Sequence, residues 1–437
     1  MVRRLIAFLL FLVLADDNDA FHAKTMGGPM AWVHGVLVSP LPIKVRPFDL
    51  AMLAILLVTS SRRDAKGPRV APMQAAMLLA LATTVAFFAY GIVTGGDGRA
   101  ASWQTYLMLS GILVSFTVAA NFRTPEHYSL LAKVLVAVAL YHAAMCWYFY
   151  VFWVQAGRIV PFPEYITTHD DSVIWVVTIL VLLLNTLTLR SPLKITRNLA
   201  TVVFILGALQ FNNRRLAWLS LFMGLIVAYA LLAPGRVKRS AKRIVMIATP
   251  ILALYIAIGW GRTERIFAPV RSISSVSTQE DASTKARNCE NLGLIATVAR
   301  SNYLTGTGWG HPYVELTTKY SIHEFELWPY IPHNSILGLL AYTGLLGFVG
   351  YWLMVPTAVF VNSRLARFGN TKEAKMTGLV AAAQMIVCAN QMYGDMGIFS
   401  IKTQYVLAAS FAVALRVPIV AGAWEFPSGR AAALGRR

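Results

Sequence analysis

Two stretches of this chain combine residue types and spacing that could do chemistry. The first is Pro332-His333-Asn334-Ser335, where a polar, aromatic-rich, glycine-punctuated stretch beginning at Thr305 runs directly into a long apolar segment. That junction predicts a helix starting at a water boundary. Proline suits the start of a helix, and Asn334 or Ser335 can accept the amides left unbonded there. His333 is then expected in the first turn of an apolar span, where the positive end of the helix dipole disfavours an imidazolium. An uncharged imidazole can take a proton from a hydroxyl, and the same helix end would attract a phosphate. The second stretch is Asn212-Asn213-Arg214-Arg215, set between two apolar runs. Two arginines beside a membrane need an anionic partner, either a ligand or lipid phosphates reached by snorkelling. Arginine rather than lysine fits forked contacts to a phosphate.

Other candidates carry less. His311 and His323 stand too far from His333 for a zinc signature of the HExxH kind, Glu324 and Glu326 read as solvated, and no metal is expected. Gly306, Gly308 and Gly310 follow no strand of a βαβ unit, so they read as turn glycines and not as a dinucleotide site. His169-Asp170-Asp171 is explained most simply by helix capping, and so is Asp395; Asp17-Asn18-Asp19 has a metal-binding DxD form too short to be informative. Cys146, Cys289 and Cys388 are scattered, with neither a disulfide framework nor thiolate metal spacing.

The elements that must position these residues are membrane helices. Apolar residues make up 57% of 437 and charged residues only 14%, with a mean hydropathy of +0.58, against about a quarter charged in soluble domains. The fold class is therefore an all-α integral membrane protein. The net charge of +19 would suggest nucleic acid in a soluble protein. Here the basic residues fall between apolar spans, where they set topology and touch anionic lipid, so nucleic acid is excluded. Met1-Val2-Arg3-Arg4 followed by Leu5 to Ala15 reads as a short first span or a signal peptide, with the retained span preferred. Further spans read as roughly 48–60, 70–93, 103–121, 130–153, 172–189, 197–211, 216–233, 244–261, 333–361, 377–394 and 403–424, about twelve in all.

Basic clusters at Arg62, Arg63, Lys66 and Arg69, at Arg190, Lys194 and Arg197, at Arg236 to Arg243, and at Arg364 to Lys375 all fall on one side when spans alternate. That side is read as the cytoplasm, with both termini on it. The chain then divides into N-terminal transmembrane helices over 1–261, a large periplasmic loop over 262–332 with short helices, and C-terminal transmembrane helices over 333–437. In the loop, Arg262, Arg271, Lys319 and their basic neighbours balance Glu280, Asp281, Glu290 and the other acids. Arg214, Arg215 and His333 share the outer face.

The residues resemble the O-antigen ligase and O-antigen polymerase superfamily of bacterial inner membranes. Asn213-Arg214-Arg215-Leu216-Ala217-Trp218 is similar to the family's arginine at the outer start of a span, with Arg215 in the arginine position and Leu216 where glycine is common. Lys285-Ala286-Arg287 through Tyr303-Leu304-Thr305-Gly306-Thr307-Gly308-Trp309-Gly310 resembles the family's loop pattern, with Asn291 near the usual tryptophan and Tyr303 where proline is frequent. His333-Asn334-Ser335-Ile336-Leu337 with Thr343-Gly344-Leu345-Leu346-Gly347 is similar to HNxxL…TGLLG. The likeness covers about Leu199 to Val361, and its specific part is the order of the motifs.

The resemblance implies a GT-C-like helical enzyme that moves a glycan from undecaprenyl pyrophosphate to an acceptor hydroxyl, inverting the anomeric carbon, with no cofactor and no required metal. The acceptor would be a saccharide or a lipid, and the partners would be the lipid bilayer and polysaccharide assembly proteins. Arg215 and Arg287 would hold the pyrophosphate and His333 would orient or deprotonate the hydroxyl, with Arg214, Asn334 and Arg300 as further substrate contacts. Departures at the glycine and tryptophan positions point toward an exopolysaccharide-type member. The competing readings are a polytopic transporter, which would place ionisable residues inside its spans, and a non-catalytic component of a polysaccharide assembly complex.

Overall fold

A computed structural model describes residues 1–41, 45–61, 67–161, 163, 165–262, 264–267, 269–270, 282–317 and 328–424. Arg62, Arg63, Lys66, Arg271, Glu280, Asp281, Lys319, His323, Glu324 and Glu326, weighed above, lie outside those residues. The described residues form helices α1 (Val2–Ala15), α2 (Phe21–Met26), α3 (Pro47–Ser60), α4 (Ala71–Val93), α5 (Gly98–Asn121), α6 (Tyr128–Phe149), α7 (His169–Thr186), α8 (Pro192–Asn212), α9 (Arg215–Leu231), α10 (Arg236–Gly259), α11 (Ala282–Arg300), α12 (Ser335–Trp352), α13 (Met354–Phe368), α14 (Lys372–Gly394) and α15 (Ile401–Val420). No strand occurs among them, only one isolated bridge between Asn302 and Gly306.

Among the described residues, eight helical segments are long and apolar enough to cross a membrane: α4, α5, α6 with its flanking turns, α7, α8, α10, α12 continuing into α13, and α15. The sequence reading of about twelve spans exceeds this. At 14, 14 and 17 residues, α1, α3 and α9 fall short of the ~20 that a bilayer core needs. The 23-residue α14 interrupts its apolar run with Gln384, Asn390 and Gln391. The segment read as a loop with short helices contains, in its described part, the 19-residue α11.

The core is built around α15, which is buried along most of its length and packs against α5, α14, α13 and α7. Charged groups are enclosed here as well. Lys402 on α15 is ion-paired with Asp171 on α7, His142 of α6 lies 3.5 Å from the same carboxylate, and Lys402 donates toward His142 at 3.3 Å. Asp171 and Lys402 stand in the first turns of α7 and α15, just before the spans read from sequence. Among the described residues of α10, only Gly259 is buried, and Ile244, Ile247, Ile251 and Leu254 face outward. This helix stands off the bundle with an apolar surface of the kind lipid covers.

The glycine run and the HNxxL…TGLLG segment form one unit. At Gly344 the backbone of α12 leaves the helical region, with φ 57° and ψ −167°. The amides this break frees are taken up from outside the helix: Leu345 donates to the Tyr303 carbonyl at 2.8 Å and Leu346 to that of Leu304 at 3.1 Å. In return, Thr307 and Gly308 donate to the carbonyls of Ala341 and Tyr342 at 3.2 and 2.7 Å. Broken helices survive at membrane depth only when protein satisfies the backbone in this way. Gly306, Gly308 and Gly310 have φ of 62°, 88° and 88°, and a Cβ on Gly308 would stand 2.4 Å from Gly91 Cα. These glycines dock the segment onto α4 and α12, as turn glycines do.

Gly344 provides a direct check. A Cβ there would lie 2.4 Å from the Leu304 carbonyl carbon. A left-handed conformation costs a non-glycine residue about 1–2 kcal/mol, and overpacking adds about 1–3 kcal/mol. Gly344→Ala is expected to lower the Tm of the detergent-purified protein and its level in the membrane. An unchanged Tm would show that the break is not held by residues 303–304.

Candidate functional site

A cavity of about 910 Å³ lies between α9, α10, the start of α11 and the ends of α7 and α14. Its polar end is formed by Arg214, Arg215, Arg287, His169 and Asp395. Its long wall is apolar, with Leu216, Leu219, Phe222 and Leu225 from α9 facing Leu252 and Ile256 from α10.

The sequence places the cations through a tight reversal. Asn213 ends α8 in a left-handed conformation, φ 50°, which asparagine tolerates better than most side chains. Arg214 is extended and α9 begins at Arg215, as the sequence predicts. Arg214 stacks on Tyr165, its guanidinium carbon 3.4 Å from the ring centroid, and donates to the Thr167 carbonyl at 3.5 Å. The stack holds one fork in place. Arg287 comes from α11 on the opposite side, with its Nη2 3.7 Å from Asp395 Oδ1.

Asp395 is the hub of the polar end. It follows the last residue of α14, is 5% exposed, and its carboxylate meets His169 Nδ1. Burial alone would raise this carboxyl, but the neighbouring charges of His169, Arg287 and His333 outweigh it, and its pKa lies below the ordinary aspartate value. The role expected for His169-Asp170-Asp171 changes accordingly. The cap of α7 is Thr168, whose side chain accepts the Asp171 amide at 3.3 Å, which leaves His169 to meet Asp395 and Asp171 to meet Lys402.

His333 lies two residues before α12, not in its first turn; Asn334 is the cap, accepting the Leu337 amide at 3.1 Å. A carboxylate, rather than the helix end, therefore governs the ring: Nδ1 is 3.2 Å from Glu290 Oε2, and the His333 amide donates to the same oxygen at 3.0 Å. Met396 donates its amide to the His333 carbonyl at 2.7 Å, which sets the His333 and Asp395 segments side by side. His333 does not line the cavity. Arg300 is exposed at the far end of α11, thirteen residues and so about 20 Å of helix beyond Arg287, and does not line it either. Asn334 Nδ2 donates to Asn291 Oδ1 at 3.1 Å, which ties it to α11.

The structure thus brings Arg214, Arg215 and Arg287 into one cavity and seats His333 and Asn334 beside it. Sequence reasoning missed Glu290, although it stands three residues after Arg287 and so on one helix face with it. His169 and Asp395 had no usable signal as a pair, because 226 positions separate them along the 437-residue chain. No group of three or more metal-ligating side chains occurs among the described residues. Permanent, forked cations at one end of an apolar trough suit an amphiphile with a phosphate head and a hydrocarbon tail.

Residues 200–352 match the model of the O-antigen ligase family. The matched segment runs from α8 to the end of α12 and includes Arg214, Arg215, Arg287, Glu290 and His333; His169 and Asp395 fall outside it. Comparison with curated proteins finds none that matches. The long apolar helices mark a membrane protein, and within it the stretch from α8 to α12 is similar to the O-antigen ligase family.

Proposed function

We propose that the protein transfers a glycan from undecaprenyl pyrophosphate to an acceptor hydroxyl at the periplasmic face of the bacterial inner membrane, as an O-antigen ligase or exopolysaccharide polymerase. The observation that carries this reading is the three-arginine head of an apolar cavity walled by α9 and the outstanding helix α10. The pyrophosphate sits among Arg214, Arg215 and Arg287, and the polyprenyl chain lies between Leu219, Phe222, Leu252 and Ile256. In the reaction the acceptor oxygen bonds to the anomeric carbon, and the bond from that carbon to the pyrophosphate oxygen breaks. The electron pair leaves with the pyrophosphate, whose growing charge the arginine forks stabilise. The hydroxyl proton passes to His333. One displacement inverts the anomeric carbon, and the arginines supply the positive charge without a metal ion.

Complementation tests the assignment. In a host lacking the resident gene, wild type is expected to restore surface polysaccharide, while His333→Ala at equal membrane level leaves lipid-linked glycan to accumulate. Removal of a general base lowers the rate by roughly 10²–10⁴. Full transfer by His333→Ala would overturn its role as base.

A further inference from the structure

The carboxylate of Glu290 has no part in the reaction described so far, yet it is 6% exposed. A buried carboxylate is tolerated only when donors satisfy it, and the donors here are specific. Oε2 accepts the His333 amide at 3.0 Å, the His333 ring lies 3.2 and 3.3 Å from the two oxygens through Nδ1, and Oε1 accepts the Tyr313 hydroxyl at 3.1 Å. Tyr313 is itself anchored, its amide donating to the Pro329 carbonyl at 3.2 Å while the Val314 amide donates to Thr297 Oγ1 on α11 at 2.8 Å.

An ionised carboxylate can only accept hydrogen bonds, so the His333 nitrogen facing it must carry the proton. In the uncharged imidazole that puts the hydrogen on Nδ1 and leaves the lone pair on Nε2. Free imidazole side chains favour the other tautomer, so the arrangement is imposed by the protein. The same helix turn that carries Glu290 carries Arg287 three residues earlier and Asn291, the partner of Asn334, one residue later.

We infer that Glu290 is a positioning residue for transfer: through Nδ1–H of His333 it fixes the ring so that Nε2 is the atom that takes the acceptor proton, and it links that base rigidly to Arg287 on α11. The inference rests on the proposed reading of His333 as base. When the acceptor O–H bond breaks, its proton lands on Nε2, and the resulting imidazolium faces a carboxylate already hydrogen-bonded to it. An α11 that moves with the bound phosphate carries Glu290 with it, so the arginine and the base keep one spacing.

Two measurements test this. In the first, ¹⁵N NMR of histidine-labelled wild type in detergent, with the His333 resonances assigned by their loss in His333→Ala, is recorded where the ring is uncharged. An Nδ1–H tautomer is expected; Nε2–H overturns the inference without any substitution at Glu290. In the second, Glu290→Gln, nearly isosteric but uncharged, is compared with wild type for glycan transfer in cells and for the rise in Tm that undecaprenyl pyrophosphate produces in vitro. Transfer is expected to fall at least about 100-fold while the Tm rise is retained. Wild-type transfer by Glu290→Gln, with His333→Ala inactive, overturns the inference alone. Normal transfer by His333→Ala, or no Tm rise with undecaprenyl pyrophosphate in wild type, overturns the underlying reading as well.

Discussion

Arg287→Ala is expected to abolish detectable glycan transfer while the protein remains in the membrane at its normal level, an effect of the same order as loss of His333. Removing one preorganised donor from a developing oxyanion costs about 10²–10³ in rate, and Arg287 also faces the Asp395 carboxylate across the site, 3.7 Å away. Arg287→Lys recovers little, because an ammonium cannot reproduce the fork. Arg215→Ala is expected to behave alike, since that side chain enters the same cavity from α9. The measurement is surface polysaccharide by immunoblot together with lipid-linked glycan extracted from the membrane. Wild-type polysaccharide from Arg287→Ala would remove the pyrophosphate from this cavity.

The largest stability effect is expected from Asp171→Ala. That change leaves the Lys402 ammonium enclosed between α7 and α15 without its ion-pair partner, with His142 and the Asp170 carboxyl as its remaining ionisable neighbours. Breaking one partner of a buried pair costs about 3–5 kcal/mol, whereas replacing both with apolar groups is often neutral. Asp171→Leu combined with Lys402→Met is therefore expected to regain most of the Tm lost in Asp171→Ala, as read by thermal unfolding in detergent. If the double variant is no better than the single, the pair is not the source of the loss. A double variant that is stable but inactive would show that the pair sets the placement of the segments bearing His169 and Asp395, which adjoin it in the chain.

How much of this was readable in advance divides along the distance over which each signal acts. The helical class, the start of α9 at Arg215 and the turn character of Gly306 to Gly310 follow from apolar runs and local backbone preference, and the structure shows all three. The reading of about twelve spans goes beyond the eight long apolar helical segments among the described residues, because apolar composition does not distinguish a full crossing from the 14-residue α3 or the 17-residue α9. Asn334, one of the two caps the sequence offers, does cap α12, and this leaves His333 two residues before the helix rather than in its first turn. Periodicity could have yielded Glu290, which repeats Arg287 at one turn. The meetings of His169 with Asp395 and of Asp171 with Lys402 join the seventh helix to the turn after the fourteenth and to the fifteenth. No local rule encodes such meetings.

The mended break in α12 also constrains the order of events during biosynthesis. Tyr303 and Leu304, which complete the backbone at Leu345 and Leu346, leave the ribosome some forty residues before those amides. Under the proposed orientation their carbonyls must already be across the membrane when α12 enters it, because the amides after Gly344 are met by those carbonyls and lipid offers no substitute. Translocation of one segment is thus a precondition for insertion of the next. Under the proposed orientation, which puts residues 262–332 on the periplasmic side, a delay in their export would strand α12 at the translocon, however apolar its sequence.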